Sequence, residues 1–146
     1  MRADAFVGAI DDERIVAAIR EAEARSRGEI RVHLAVRAVA DPRAEAVRVF
    51  DRLGMSRTGE RNAILILVAP VSQAIAVIGD RDIHARAPEA WWGTVADAIR
   101  DEFRAGRYTE GIVAGVRAVG DELARHFPRG AGESDRNELP DGVSRG

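Results

Sequence analysis

Two short polar stretches, Glu60-Arg61-Asn62 and Asp80-Arg81-Asp82-Ile83-His84, carry the side chains best suited to chemistry. Between them lie two apolar runs, AILILVA at 63–69 and AIAVIG at 74–79, joined by Pro70-Val71-Ser72-Gln73. This pattern predicts a β-hairpin, and antiparallel strands start and finish at one edge of the sheet. The loop entering the first strand must then lie beside the loop leaving the second. Carboxylate oxygens with a neutral amide carbonyl are the donors that hard cations such as Ca²⁺ or Mg²⁺ take. Asp80 and Asp82 are therefore expected as leading ligands, with Glu29, Glu60 and the Asn62 carbonyl as helpers. Two carboxylates ~4 Å apart repel by about 4 kcal/mol at an effective dielectric of ~20, so such a cluster calls for a cation or an arginine. Arg61 and Arg81 are the neutralisers at hand. In that second reading Asp80 caps a turn and Asn62 bonds its own backbone. His84 and Trp91 would line the same edge.

Other chemistries find less support. D-R-D after an apolar strand is weakly like the D-x-D of aspartyl-phosphate phosphatases. However, His84 stands where Thr or Val is expected, Gly79 interrupts the approach, and the chain has no Lys. His33 is expected on the polar face of a strand and His126 near a helix end, both as ordinary surface or hydrogen-bonding residues. Of Trp91 and Trp92, one is expected in the core and the other partly exposed. Gly111 and Gly115 read as close helix packing. No Ser-His-Asp elbow, Walker loop or H-E-x-x-H is present.

The elements that position these residues follow from periodicity. Asp11 or Asp12 caps a helix with Ile15, Ile19 and Ala22 on one face and Gly28 at the expected stop. EIRVHLAVR at 29–37 alternates as a strand with Ile30, Val32, Leu34 and Val36 on one side. Asp41-Pro42 opens a second helix, with Val47, Phe50 and Leu53 as its buried stripe and Gly54 as its end. After the hairpin, Pro88-Glu89 opens a third helix carrying Trp91, Val95, Ile99 and Phe103, broken at Gly106. Thr109-Glu110 starts a fourth, ending near His126. The order is α-β-α-β-β-α-α, with the first two strands parallel through a right-handed crossover and the third antiparallel to the second. Glu29, Asn62 and Asp80 should then share one end of the sheet. The usual rule puts α/β sites at the carboxyl ends of parallel strands; here the polar residues favour the opposite side.

Composition frames the domain. A chain of 146 residues can bury roughly 70% of its unfolded surface without a disulfide or metal staple. A formal charge of −2 argues against a nucleic-acid binder. The basic residues are all Arg, which reads as genomic composition. Without Cys there is no thiol nucleophile and no Cys-ligated zinc. The longest apolar run, Ala63 to Ala69, is far short of the ~20 residues that span a bilayer. The N-terminus lacks the apolar region of a signal peptide, so a cytoplasmic location is expected. Residues 1–128 are expected to form a single domain. Residues 129–146 are expected to be a flexible or loosely packed tail, with Leu139-Pro140 as its only anchor.

Several segments together resemble the TPM domain family, which includes the thylakoid lumen phosphatase-like proteins. They are G-E-I-R-V at 28–32, F-x-x-L-G-M at 50–55, R-T-G-E-R-N at 57–62, V-I-G-D at 77–80, W-W at 91–92, L-A-R-H-F-P at 123–128 and N-E-L-P-D at 137–141. The resemblance implies a three-layer α/β/α sandwich with a small mixed sheet. It further implies divalent-cation binding, an acid phosphatase activity proposed for plant members, and roles in membrane-protein assembly or repair. The chain departs from the family where Asp82 and Ala63 stand in place of frequent glycines. Two functions are thus expected: a divalent-cation-binding domain with weak, metal-dependent phosphomonoesterase activity, or a non-catalytic interaction module with a protein partner. The residues favour the module slightly, because no nucleophile or general base is recognisable.

Overall fold

The computed structural model describes residues 2–57, 59–129 and 142–146. The two apolar runs form β2 (Ile64–Ala69) and β3 (Ala74–Gly79), paired antiparallel from Ile64 opposite Gly79 to Ala69 opposite Ala74. Gln73 closes the turn in the left-handed region, at φ 51°. Strand β1 (Ile30–Leu34) lies parallel to β2, with Ile30 beside Ile64. A fourth strand, β4 (Val143–Arg145), adds parallel to the other side of β1, so the sheet order is β3-β2-β1-β4.

Among the described residues six α-helices surround this sheet: α1 (Ala3–Ala9), α2 (Asp12–Ala24), α3 (Pro42–Arg52), α4 (Arg81–Arg86), α5 (Glu89–Arg104) and α6 (Tyr108–His126). Asp11 and Asp41 cap α2 and α3, their carboxylates accepting from the Arg14 and Ala44 N–H groups. Strand alternation sends residues to opposite faces of the sheet and divides the core in two. Ile30, Val32, Leu34, Ile64, Ile66, Val68, Ile75 and Val77 pack beneath α2, α5 and α6. Leu65, Leu67, Ala76 and Ile78 pack against Ala46, Val49 and Phe50 of α3 and Met55 of the 3-10 turn that follows. The result is a three-layer α/β/α domain, as expected. No helix among the described residues is long and apolar enough to cross a membrane.

The pattern of elements departs from expectation at both ends. The short α1 and α4 were not foreseen: a seven-residue helix has little periodicity to show, and α4 hides inside a polar sequence. The closing residues form β4 where a loose tail was expected; residues 130–141, including Leu139 and Pro140, lie outside the described part. On α3 the buried stripe is Ala46, Val49 and Phe50, while Val47 is 47% exposed. Gly28 does not stop α2, which ends at Ala24 with Arg25 as its C-cap. A Cβ at Gly28 would stand 2.6 Å from the Leu123 side chain, so that position serves close packing on α6. His33 corrects a further expectation. β4 covers it, leaving it 1% exposed, with Nδ1 2.7 Å from Ser144 Oγ. Burial and the nearby Arg52 hold its pKa below the ordinary histidine value.

Candidate functional site

The hairpin register brings the predicted loops together. Ile64 N–H donates to the Glu29 carbonyl at 2.8 Å, and Asp80 N–H donates to the Ala63 carbonyl at 2.8 Å. Asp82 N–H reaches the Arg61 carbonyl at 3.0 Å. Glu29, Asn62 and Asp80 therefore share one end of the sheet, the end where β1 and β2 begin and β3 finishes. The Asn62 side chain, 1% exposed, donates to the Arg27 carbonyl at 3.0 Å and ties the loop before β1 to the loop before β2.

Asp80 is the hub of this edge. Its carboxylate takes Arg61 in a bidentate pair, Nε to Oδ2 at 2.7 Å and Nη2 to Oδ1 at 2.9 Å. Oδ1 also accepts the Arg81 N–H at 2.8 Å, which makes Asp80 the N-cap of α4. The expected polar loop D-R-D-I-H is therefore a helix start. An Asp cap followed by Asp82 in the first turn was a readable signal for it. Asp80 is 6% exposed, and the hydrogen bond and charge of its carboxylate raise the Arg61 pKa. Arg61 adopts φ 52°, a conformation unfavourable for a residue with a side chain. Its bonds to Asp80 and Asp82 hold it there.

Glu60 and Asp82 have arginine partners of their own. Glu60 meets Arg27 at 3.0 Å, a partner not foreseen from the sequence, and Asp82 meets Arg81 at 3.2 Å. Glu29 is buried, 5% exposed. Among the described residues no group of three or more His, Asp and Glu is gathered to hold a metal ion. As arranged, Arg61 occupies both oxygens of the Asp80 carboxylate. The second reading of the acids, with Asp80 capping and arginines neutralising, describes this geometry.

The tryptophans close one side of the edge. Trp92 is 8% exposed and Trp91 half-buried, their rings edge-to-face at 4.8 Å. His84 stacks on Trp92 at 5.6 Å. Gly79 makes room for this arrangement: a Cβ there would lie 2.5 Å from the Trp92 ring. Gly111 and Gly115 likewise admit Phe103 and Ile99 of α5 against α6.

Comparisons with known proteins agree with this architecture. The family model of the TPM domain matches residues 4–122. The solution structure of the BA42 protein from the psychrophilic bacterium Bizionia argentinensis is similar at TM-score 0.83 and 36% identity, covering 92% of each chain. The N-terminal domain of the cg2496 protein from Corynebacterium glutamicum shares the fold at TM-score 0.60 and 16% identity, over 88% of this chain and 80% of that one. The N-terminal domain of a P. gingivalis protein does so at TM-score 0.55 and 19% identity, over 76% and 72%. No curated protein matches the chain.

Proposed function

The chain belongs to the TPM domain family, and we propose that it works as a non-catalytic interaction module whose partner is met at the loop edge. The observation that carries this reading is the use made of Asp80. The carboxylate best placed for metal or hydrolytic chemistry is committed to Arg61 and to capping α4. Loops fastened in this way lose little freedom on binding, which favours recognition. Their rim offers Glu60 at 45%, Asp82 at 42% and Arg81 at 70% side-chain exposure, a mixed charged surface for a protein partner.

A second reading keeps the cation. Glu29, Glu60, Asp80 and Asp82 stand on one edge, and an ion would have to displace Arg61 to use them. Calorimetric titration of the metal-free protein with Ca²⁺ and Mg²⁺, beside an assay of a generic phosphomonoester from acidic to neutral pH, separates the readings. The module reading expects no turnover and no heat that depends on Asp80. Turnover abolished by Asp80→Asn would overturn it. Binding heat abolished by Asp80→Asn, without turnover, would make the domain a cation-dependent binder.

A further inference from the structure

The two edges of the sheet are treated differently. β4 is a three-residue edge carrying Arg145, which pairs with Asp12. Short length and charge are two of the devices that keep an edge strand from recruiting another. β3 has neither. It is six residues long, AIAVIG, with no charge, no Pro and an unbroken register against β2. A groove of about 320 Å³ runs along it, lined by Ile75, Ala76, Val77 and Ile78 in succession. Successive strand residues point to opposite faces. A groove that touches four in a row is therefore lined by the strand's edge, with its backbone groups.

The hydrogen-bond phase tells which groups face the groove. Asp80 N–H bonds the Ala63 carbonyl, directly across the register. Antiparallel pairs alternate between bonded and unbonded, so Ala74, Ala76 and Ile78 turn their N–H and C=O toward β2. Ile75 and Val77 turn theirs outward.

We propose that the β3 edge docks an extended peptide segment, added as a fifth strand, whose side chains alternate between apolar and acidic. The walls set this chemistry. Toward α5, on the face of Ile75 and Val77, the groove is walled by Trp92, Gly93 and Ala96, and Gly93 leaves open space where a Cβ would stand. Apolar side chains fit there. Toward α3, on the face of Ala76 and Ile78, the wall is Asp41, Pro42 and Arg43 at the start of the helix. The Asp41 carboxylate is engaged with the Ala44 N–H, whereas Arg43 is exposed and has no ion-pair partner among the described residues. The α3 N-terminus already carries its Asp41 cap, so Arg43 is the group on this wall that favours an acidic side chain. A lone strand fits between these walls. A second copy of the chain would bring its own α3 and α5 against them. Strand addition is an established mode of peptide recognition, with backbone bonds for affinity and alternate pockets for selectivity.

The test uses the full chain and two blocked octapeptides, one alternating Val and Glu, the other Val and Lys. The Val-Glu peptide is expected to bind. It should shift the amide resonances of Ile75 and Val77 and slow their hydrogen exchange, while the Val-Lys peptide binds at least tenfold more weakly. A Val-Glu peptide N-methylated on alternate residues should lose binding in one of its two registers of methylation. Arg43→Glu should reverse the preference between the peptides. Gly93→Leu should block both, at a position where an added Cβ meets nothing within 4 Å, and an unchanged thermal transition checks that the fold accepts it. The proposal is overturned if both N-methylated peptides bind as well as the parent, if the shifts fall on other elements, or if no peptide binds. It is overturned as well if sedimentation shows a dimer that Gly93→Leu dissociates, since a second copy then owns the edge.

Discussion

Replacing Asp80 tests whether its carboxylate is a structural clamp or a ligand in waiting. Asp80→Ala removes both bonds from Arg61, at 2.7 and 2.9 Å, and the cap bond from the Arg81 N–H at 2.8 Å. Loss of the cap costs about 1 kcal/mol. Loss of charge-assisted bonds to a carboxylate that is 6% exposed costs about 1.5–3 kcal/mol more. Arg61 adds no penalty for a stranded buried charge, because its side chain is 35% exposed and can turn to water. Asp80→Ala should therefore destabilise by about 2.5–4 kcal/mol. Asp80→Asn keeps an oxygen for the cap and should cost only about 1.5–3 kcal/mol. For a domain of this size that means Tm falls of roughly 8–15 °C and 5–10 °C. Thermal unfolding followed by circular dichroism in chelator-containing buffer measures both. Combined with Arg61→Gly, which relieves the left-handed backbone, Asp80→Asn should cost less than the two changes summed. A rise in Tm for Asp80→Asn would refute the clamp, since repulsion between Asp80 and its acidic neighbours would then outweigh Arg61. Equal losses for Asn and Ala would refute the cap.

Three further outcomes follow from the same geometry. His33 is held neutral by burial and Arg52, its pKa lowered from 6.5; the unfolded chain therefore binds its proton first, and stability present above pH 6.5 is lost as pH falls toward the folded-state pKa. Thermal unfolding between pH 8 and pH 5 should show this loss, and His33→Gln should remove it. Deleting residues 142–146 uncovers the ring and should return its titration toward 6.5, read from the imidazole proton resonances. Gly93→Ala and Gly120→Ala should shift Tm in opposite directions. A Cβ at Gly93 meets nothing, so the gain in helix propensity of about 1 kcal/mol stands; at Gly120 it would lie 2.5 Å from the Ala22 Cβ, and forcing α2 from α6 costs about 1–3 kcal/mol.

What could be read from the sequence tracks how local the governing physics is. The hairpin, both aspartate caps and the helices α2, α3, α5 and α6 were legible because each is specified within a few residues by period, cap or turn. β4 was not, because three residues beside β1 gain their meaning only from a partner strand more than a hundred positions away. His33 was misplaced for the same reason: alternation correctly put it opposite Val32 and Leu34, but β4 and α3 cover that face as well. Val47 was misjudged because α3 turns its small residue Ala46, with Val49 and Phe50, toward the sheet. Hydrophobicity alone gave Val47 priority over Ala46. Packing against the pleated surface reversed it.

The candidate edge was legible as a place and ambiguous as chemistry. Pairing rules put Asp80 beside Arg61 before any side chain was seen, because a hairpin's outer ends must meet. They could not say whether the carboxylate would await a cation or take the guanidinium. In the fold the α4 N-terminus supplies Asp80 with an N–H donor and orients Oδ1 while Arg61 engages both oxygens. The helix carries no apolar stripe, with only Ile83 of R-D-I-H-A-R entering the core, so its Asp cap was the one signal for it. Buried Ile83 docks α4, α4 presents its first N–H to Asp80, and that N–H joins Arg61 and the Ala63 carbonyl in holding the residue. Loosening Ile83 would remove the cap bond from Oδ1 and leave Arg61 as the carboxylate's remaining side-chain partner.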